Sequence, residues 1–226
     1  MTERLSHPND LTVLHEDEHV LVVDKPAFLL TVGAPGRTEK TLLDLVQTRF
    51  GRLYPVHRLD EETTGALAFA RTIDAREGLE MIFRERRSER LYLALCARVP
   101  SPPSGRIESR LVTGEDGIVR SETKGDLAIT TYRTLTRRSG GALVACRLMT
   151  GRRNQIRAHL SELGAPLCGD RKYGWRPREG DPKVDRTMLH AWRLAFDHPI
   201  DGSRVSCEAE PPDPRLRPSA SDEAES

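Results

Sequence analysis

Apolar residues in this chain come in short runs, and that limits its fold more than any other feature. Leu11 to Leu14, His19 to Val23, Ala66 to Ala70, Leu91 to Ala97, Thr130 to Leu135, Ala142 to Met149, Met188 to Phe196 and Arg204 to Glu208 are all of strand length. Helical spacing shows in three places: Leu42, Leu45 and Val46 within Thr41 to Phe50; Leu79, Ile82 and Phe83 within Ile73 to Arg87; and Ile156, Leu160 and Leu163 within Asn154 to Leu163, which Gly164 ends. Hairpins alternate irregularly with helices instead of repeating βαβ units. The order predicts an α+β protein with a largely antiparallel or mixed sheet. No apolar run reaches about 18 residues, so no helical membrane span is expected. Met1 to His7 lacks an apolar signal core, which makes the cytoplasm the default location.

The 226 residues, 37% hydrophobic and 31% charged, describe an ordinary globular protein with one full-sized core or two small ones. Residues 1–10 read as an N-terminal extension, 11–212 as one folded domain, and 213–226 as a disordered Pro/Ser/Asp/Glu tail. Ser101-Pro102-Pro103-Ser104-Gly105 is a connector, and Gly105 to Gly125 reads as an insertion. Cys96, Cys146, Cys168 and Cys207 are widely spaced with no Cys-x-x-Cys pair, so neither a disulfide framework nor a metal site is expected. His15 and His19 lie four apart but in strand and turn, and read as solvated.

Net charge is only +1, which argues against a blanket nucleic-acid binder. Its distribution carries more information. Basic residues gather at Arg84, Arg86, Arg87 and Arg90, at Arg152, Arg153 and Arg157, and at Arg171, Lys172, Arg176 and Arg178. The Arg84 to Arg90 group reads equally well as a solvated face.

Three constellations carry chemistry. In His57-Arg58-Leu59-Asp60-Glu61-Glu62-Thr63-Thr64-Gly65, a carboxylate precedes a glycine turn and a buried strand, where a rigid sheet presents a reactive group. Its bland alternative is an Asx-turn at Asp60. In Glu89-Arg90-Leu91-Tyr92-Leu93-Ala94-Leu95, Tyr92 lies on an alternating strand, where a tyrosine is ordinarily an amphipathic core residue. In Thr150-Gly151-Arg152-Arg153-Asn154-Gln155-Ile156-Arg157-Ala158-His159, a glycine-broken strand end and a helix start bring cations and backbone amides together, which suits phosphate. Arg157 lies one turn further on, beside the apolar stripe. A guanidinium buried there calls for a carboxylate partner, and Asp60 is the candidate.

These motifs, in this order, resemble the RluA family of RNA pseudouridine synthases. The first is similar to that family's HRLD motif, with Thr64 where serine is usual. The second is similar to its Tyr-x-Ala motif. The third, continued through Gly164-Ala165-Pro166-Leu167-Cys168-Gly169-Asp170-Arg171-Lys172-Tyr173-Gly174, is similar to its Thr-Gly-Arg-x-His-Gln-Ile-Arg pattern, with Asn154 where histidine is common. The opening Asp24-Lys25-Pro26 and the late Leu189-His190-Ala191-Trp192-Arg193-Leu194 segment fit as well, so the likeness spans about residues 11 to 212.

The resemblance implies the pseudouridine synthase fold, with a mixed, mostly antiparallel central sheet, flanking helices and a central catalytic cleft, and an isomerisation that needs no cofactor. The N1–C1′ bond of a uridine in RNA breaks, and the uracil turns and rejoins through C5. Asp60 would be the nucleophile, Arg157 would hold it ionised and aimed, and Tyr92 would stack on the base and move the proton. Arg58 would fill the space left by the flipped uridine, and Arg152, Arg153, Arg171 and Lys172 would meet phosphates. The expected partner is a ribosomal or transfer RNA stem-loop, not DNA or a membrane, and the protein is expected to be a monomer. Too few residues precede the first strand for the small RNA-binding domain of larger relatives. Two rival readings are an inactive RNA-binding protein of this fold and an unrelated hydrolase. The hydrolase reading lacks G-x-S-x-G, H-E-x-x-H and P-loop signatures.

Overall fold

The computed structural model describes residues 10–138 and 141–219. In chain order the elements are β1 (Val13–Glu16), β2 (Val20–Lys25), α1 (Leu42–Phe50), β3 (Tyr54–Pro55), β4 (Thr64–Ala70), α2 (Ile73–Arg84), β5 (Glu89–Cys96), β6 (Ser104–Thr113), β7 (Val119–Glu122), β8 (Asp126–Arg138), β9 (Gly141–Leu148), α3 (Gln155–Glu162), β10 (Leu189–Asp197) and β11 (Arg204–Glu208). This is the expected α+β architecture. The chain falls into two compact units: one runs through Glu89 and takes in Ala191–Glu210, and the other comprises Arg90–His190 with the segment from Pro211.

In the first unit the strand order is β1-β2-β4-β10, with β3 on β4 and β11 on β10. β2 pairs antiparallel with β1 and with β4, where Lys25 lies opposite Gly65. Every residue of β4 is buried, as expected for a strand covered on both faces. Val20, Val22, Ala66, Ala68 and Ala70 pack with Leu79 and Ile82 of α2 and with Leu194 and Phe196 of β10. Helix α1 begins at the predicted place because Thr41 and Asp44 form a capping box. Helix α2 stops three residues before the expected Arg87: Arg86 takes a left-handed φ of 62°, which ends the helical run. His15 and His19 are not simply solvated. His15 Nε2 lies 2.6 Å from Asp17 Oδ2, and the His19 ring packs against that of His198.

The second unit orders its strands β5-β9-β8-β6-β7, each pair antiparallel. Its β6–β7 hairpin occupies the segment read as an insertion over 105–125, and β6 begins at Ser104, inside the expected connector over 101–105. The hairpin is mostly exposed, with Leu111 and Val119 as its buried residues, so little apolar alternation marked it. Those two residues join Ala128, Ala158 and Tyr173 in a small core. The expected disordered tail also changes. Pro214–Leu216 form a 3-10 turn capped by Asp213, with Leu216 buried, while residues 1–9 and 220–226 lie outside the described residues.

All four cysteines are buried free thiols. Burial pushes Cys146 and Cys168 up to about 12, so they stay protonated. Among the described residues no cluster of His, Cys, Asp and Glu could hold a metal ion, and no helix is long and apolar enough to cross a membrane.

Candidate active site

Asp60 is half-buried at the end of a loop held from both sides. Its neighbour Leu59 is buried, and Thr31 clamps that residue's backbone, donating its hydroxyl to the Leu59 carbonyl (3.0 Å) and accepting the Leu59 amide (3.2 Å). On the other side the fully buried Lys25 donates Nζ to the Glu61 carbonyl (3.0 Å) and to the Pro26 carbonyl (2.7 Å). The turn itself closes through the backbone, with the Thr63 amide donating to the Asp60 carbonyl at 3.1 Å. His57 Nε2 accepts the Ala68 amide of β4 at 3.0 Å and its ring packs on Phe83, so the histidine of this motif ties the loop to the sheet. Arg58 is exposed.

Gly65 has a stricter reason to be glycine than the turn that the sequence suggests. Its φ is +113°, and a Cβ there would lie 2.2 Å from the Ala191 carbonyl oxygen on β10. Asp24 in β2 receives the Gly65 backbone hydrogen bond, yet burial raises its carboxyl to about 6.

Tyr92 is buried on β5 and paired in register with Cys146 of β9. Arg90 lies two residues earlier, on the same face. It is only 6% exposed, so its reading as part of a solvated basic face is wrong. Its guanidinium lies over Gly151, where a Cβ would come within 2.6 Å of Nη1. Desolvation pulls the Arg90 pKa down and the nearby Tyr92 pushes it up. Gly151 therefore makes room for an arginine as well as breaking the strand.

Helix α3 begins with a satisfied amide. Gln155 accepts from the Thr150 hydroxyl (2.8 Å) and the Arg152 amide (3.0 Å), and donates to the Ile129 carbonyl (3.0 Å) and the Thr130 hydroxyl oxygen (2.9 Å). The expected phosphate-binding amides at this helix start are thus partly engaged already. One turn on, fully buried His159 contacts Thr130 Oγ1 through Nδ1 (2.9 Å) and Ser109 Oγ through Nε2 (3.1 Å). Burial lowers its pKa to about 4, so it is neutral at pH 7.

Arg157 has the carboxylate partner that burial demands, supplied by Asp170 of the third motif, to which the sequence assigned no role. Its Nε and Nη2 donate to the two oxygens of Asp170 at 2.7 and 2.8 Å, a bidentate pair whose side chains are 12% and 1% exposed. Nη1 donates to Asn154 Oδ1 (3.1 Å), and the guanidinium lies over the Tyr173 ring. Asn154 Nδ2 in turn donates to the Tyr173 hydroxyl (3.1 Å), which also accepts the Val119 amide of the hairpin (2.9 Å). The asparagine at a position where histidine is common therefore orients Arg157. The four proposed phosphate contacts Arg152, Arg153, Arg171 and Lys172 are all exposed. Arg152 is steadied by the Leu127 carbonyl (3.1 Å).

Sequence reasoning missed Thr31, Lys25 and Asp170 as supports. Thr31 contacts a residue 28 positions away, a distance no local pattern encodes. The Gly169-Asp170 pair did carry a signal, as part of the third motif.

A family model described as RNA pseudouridylate synthase matches residues 19–162. The ribosomal large subunit pseudouridine synthase D of Zymomonas mobilis subsp. mobilis is 35% identical over 228 residues, covering 92% of this chain and 72% of that protein. The dual-specificity RNA pseudouridine synthase RluA of Escherichia coli is 36% identical over 209 residues, covering 88% and 92%. Among solved structures, human RNA pseudouridylate synthase domain containing 1 superposes with a TM-score of 0.78 at 25% identity, covering 99% of this chain and 96% of the other.

Proposed function

Since the chain belongs to the RNA pseudouridylate synthase family and is an RNA pseudouridine synthase, we propose that it isomerises a uridine in a ribosomal or transfer RNA stem-loop with Asp60 as nucleophile. The catalytic domain is assigned to about residues 11–212. Asp60 attacks the ribose or assists departure of the base as the N1–C1′ bond breaks. The uracil then rejoins through C5, whose proton leaves while N1 gains one. Tyr92 stacks on the uracil and takes the C5 proton. Arg157 keeps the nucleophile ionised and aimed, and Arg58 occupies the gap left by the extruded nucleotide. Arg152, Arg153, Arg171 and Lys172 meet phosphates and set register without reading bases.

The observation that carries this reading is the bracing of the Asp60 loop by Thr31 and by the buried Lys25, which fixes one carboxylate on a rigid strand entry. One chain supplies every side chain that the chemistry requires, which supports action as a monomer, and a stem-loop substrate supports the cytoplasm. The test incubates total RNA from a strain lacking the gene with the protein and maps pseudouridine at nucleotide resolution. Wild type is expected to modify a defined uridine. Asp60→Asn is expected to lose ~10⁴-fold or more in rate, the scale seen when a nucleophile is deleted, while keeping RNA affinity. Turnover by the asparagine variant would remove Asp60 as nucleophile.

A further inference from the structure

A cleft of about 140 Å³ opens in the second unit, lined by none of the candidate catalytic residues. Its walls are Ala97 and Arg98 after β5, Pro166, and the loop carrying Gly174, Trp175, Arg176, Arg178 and Asp181. The Ala97 amide donates to the Pro166 carbonyl at 2.9 Å, so one wall is braced by backbone. Trp175 is 4% exposed, and its Nε1 is buried with no acceptor among the described residues. The other tryptophan, Trp192, donates its Nε1 to Glu208 at 2.8 Å. A buried indole N–H without an acceptor is rare, and Trp175 stands in the wall of this cleft.

We propose that this cleft is a phosphate site for the substrate RNA, seating a backbone phosphate outside the reacting uridine. Three guanidiniums meet one carboxylate there. Asp181 already accepts the Arg178 amide (2.8 Å). Arg176 engages the Arg171 and Trp175 carbonyls through Nη1. Among the described residues neither the Arg98 nor the Arg178 guanidinium bonds to the protein. Planar forks with unused donors suit a multi-oxygen anion. The other walls are small residues, and the one aromatic ring is buried, so there is no exposed face on which a base could stack. A phosphate fits this lining better than a nucleobase. RNA is the favoured source because the same loop leads directly from Arg157: the Trp175 amide donates to the carbonyl of Asp170 (3.0 Å), whose carboxylate clamps that arginine.

The inference rests on RNA being the substrate, and its test separates the two. Total RNA labelled with tritium at uridine C5 releases tritium on isomerisation, which gives kcat and KM. The double variant Arg98→Ala/Arg178→Ala is expected to raise KM about tenfold, leave kcat within about twofold, and flatten the salt dependence by roughly 0.7 for each phosphate no longer neutralised. In parallel, the Trp175 indole ¹⁵N–¹H signal, assigned by its loss in Trp175→Phe, is expected to move when a short oligouridylate is added to wild type and not to the double variant. Unchanged KM and salt slope in the double variant, or a Trp175 signal indifferent to oligouridylate, would overturn the proposal. A signal that moves with inorganic phosphate alone would overturn RNA as the source. No tritium release from wild type would instead defeat the substrate reading, and the indole signal would still report on the cleft.

Discussion

At the scale of single residues, the buried His159 and the largely desolvated Asp24 pull stability in opposite directions with pH. His159 is held neutral, its pKa lowered from 6.5 to about 4. Its contribution is complete above pH 6.5 and is lost as pH falls toward about 4, amounting to roughly 3 kcal/mol. Asp24 is the reverse, since its carboxyl is raised from 3.8 to about 6. Its contribution is complete below pH 3.8 and is lost as pH rises through about 6, by a similar amount. Between pH 4 and 6 the two oppose each other in the wild type. His159→Gln, which keeps a donor and an acceptor, is therefore expected to lose stability as pH rises through that window. Asp24→Asn is expected to lose it as pH falls. Urea denaturation at several pH values measures both slopes, and parallel slopes in the two variants would contradict these assignments. Neither residue announced this behaviour in the sequence, because an aspartate in a strand and a histidine in a helix titrate abnormally only once neighbours cover them.

Elements differ in how much of their reason is local. Strand β4 was legible as an apolar run, and α1 and α3 from spacing and end signals. The need for glycine at the entrance to β4 is only half local: the φ of +113° belongs to the chain, whereas the 2.2 Å approach to Ala191 belongs to the packing of β10. Gly65→Ala is expected to cost more than about 3 kcal/mol, because overpacking adds to backbone strain. Gly202→Ala also has a positive φ (+75°) but meets nothing within 4 Å, and is expected to cost about 1 kcal/mol. Thermal unfolding of the two variants gives the comparison, and equal losses would show that backbone strain alone is at work. The β6–β7 hairpin marks the other extreme. Two buried residues in the hairpin leave almost no hydrophobic pattern to read.

For the molecule as a whole, near-neutral charge does not preclude binding a polyanion. The chain carries 35 basic and 34 acidic residues, so affinity must come from local surface. Arg152 is exposed, is steadied by the Leu127 carbonyl, and lies 3.6 Å from Asp126. Affinity for a substrate stem-loop is expected to fall as salt rises, and Arg152→Ala is expected to flatten the log-log slope by about 0.7 with little change in substrate preference. Salt titrations of both proteins provide the measurement, and identical slopes would leave Arg152 outside the RNA surface.

The α+β class, the order of most strands, all three helices, the family and the identity of the proposed nucleophile could be read from residues alone. Each rests on period, end signals or motif spacing, which are properties of neighbouring positions in the chain. Three matters were decided only by tertiary structure: that Asp170 is a carboxylate partner of Arg157, that Arg90 is buried over Gly151, and that Thr31 and Lys25 brace the Asp60 loop. The physical reason is that burial strips a polar group of water, and what replaces the water comes from distant parts of the chain. Thr31, Lys25 and Arg157 meet groups 28, 36 and 13 positions away, and Arg90 lies over a glycine that follows it only after the four strands β6 to β9. A linear pattern can state the demand for a partner, but only the folded chain can say which side chain meets it.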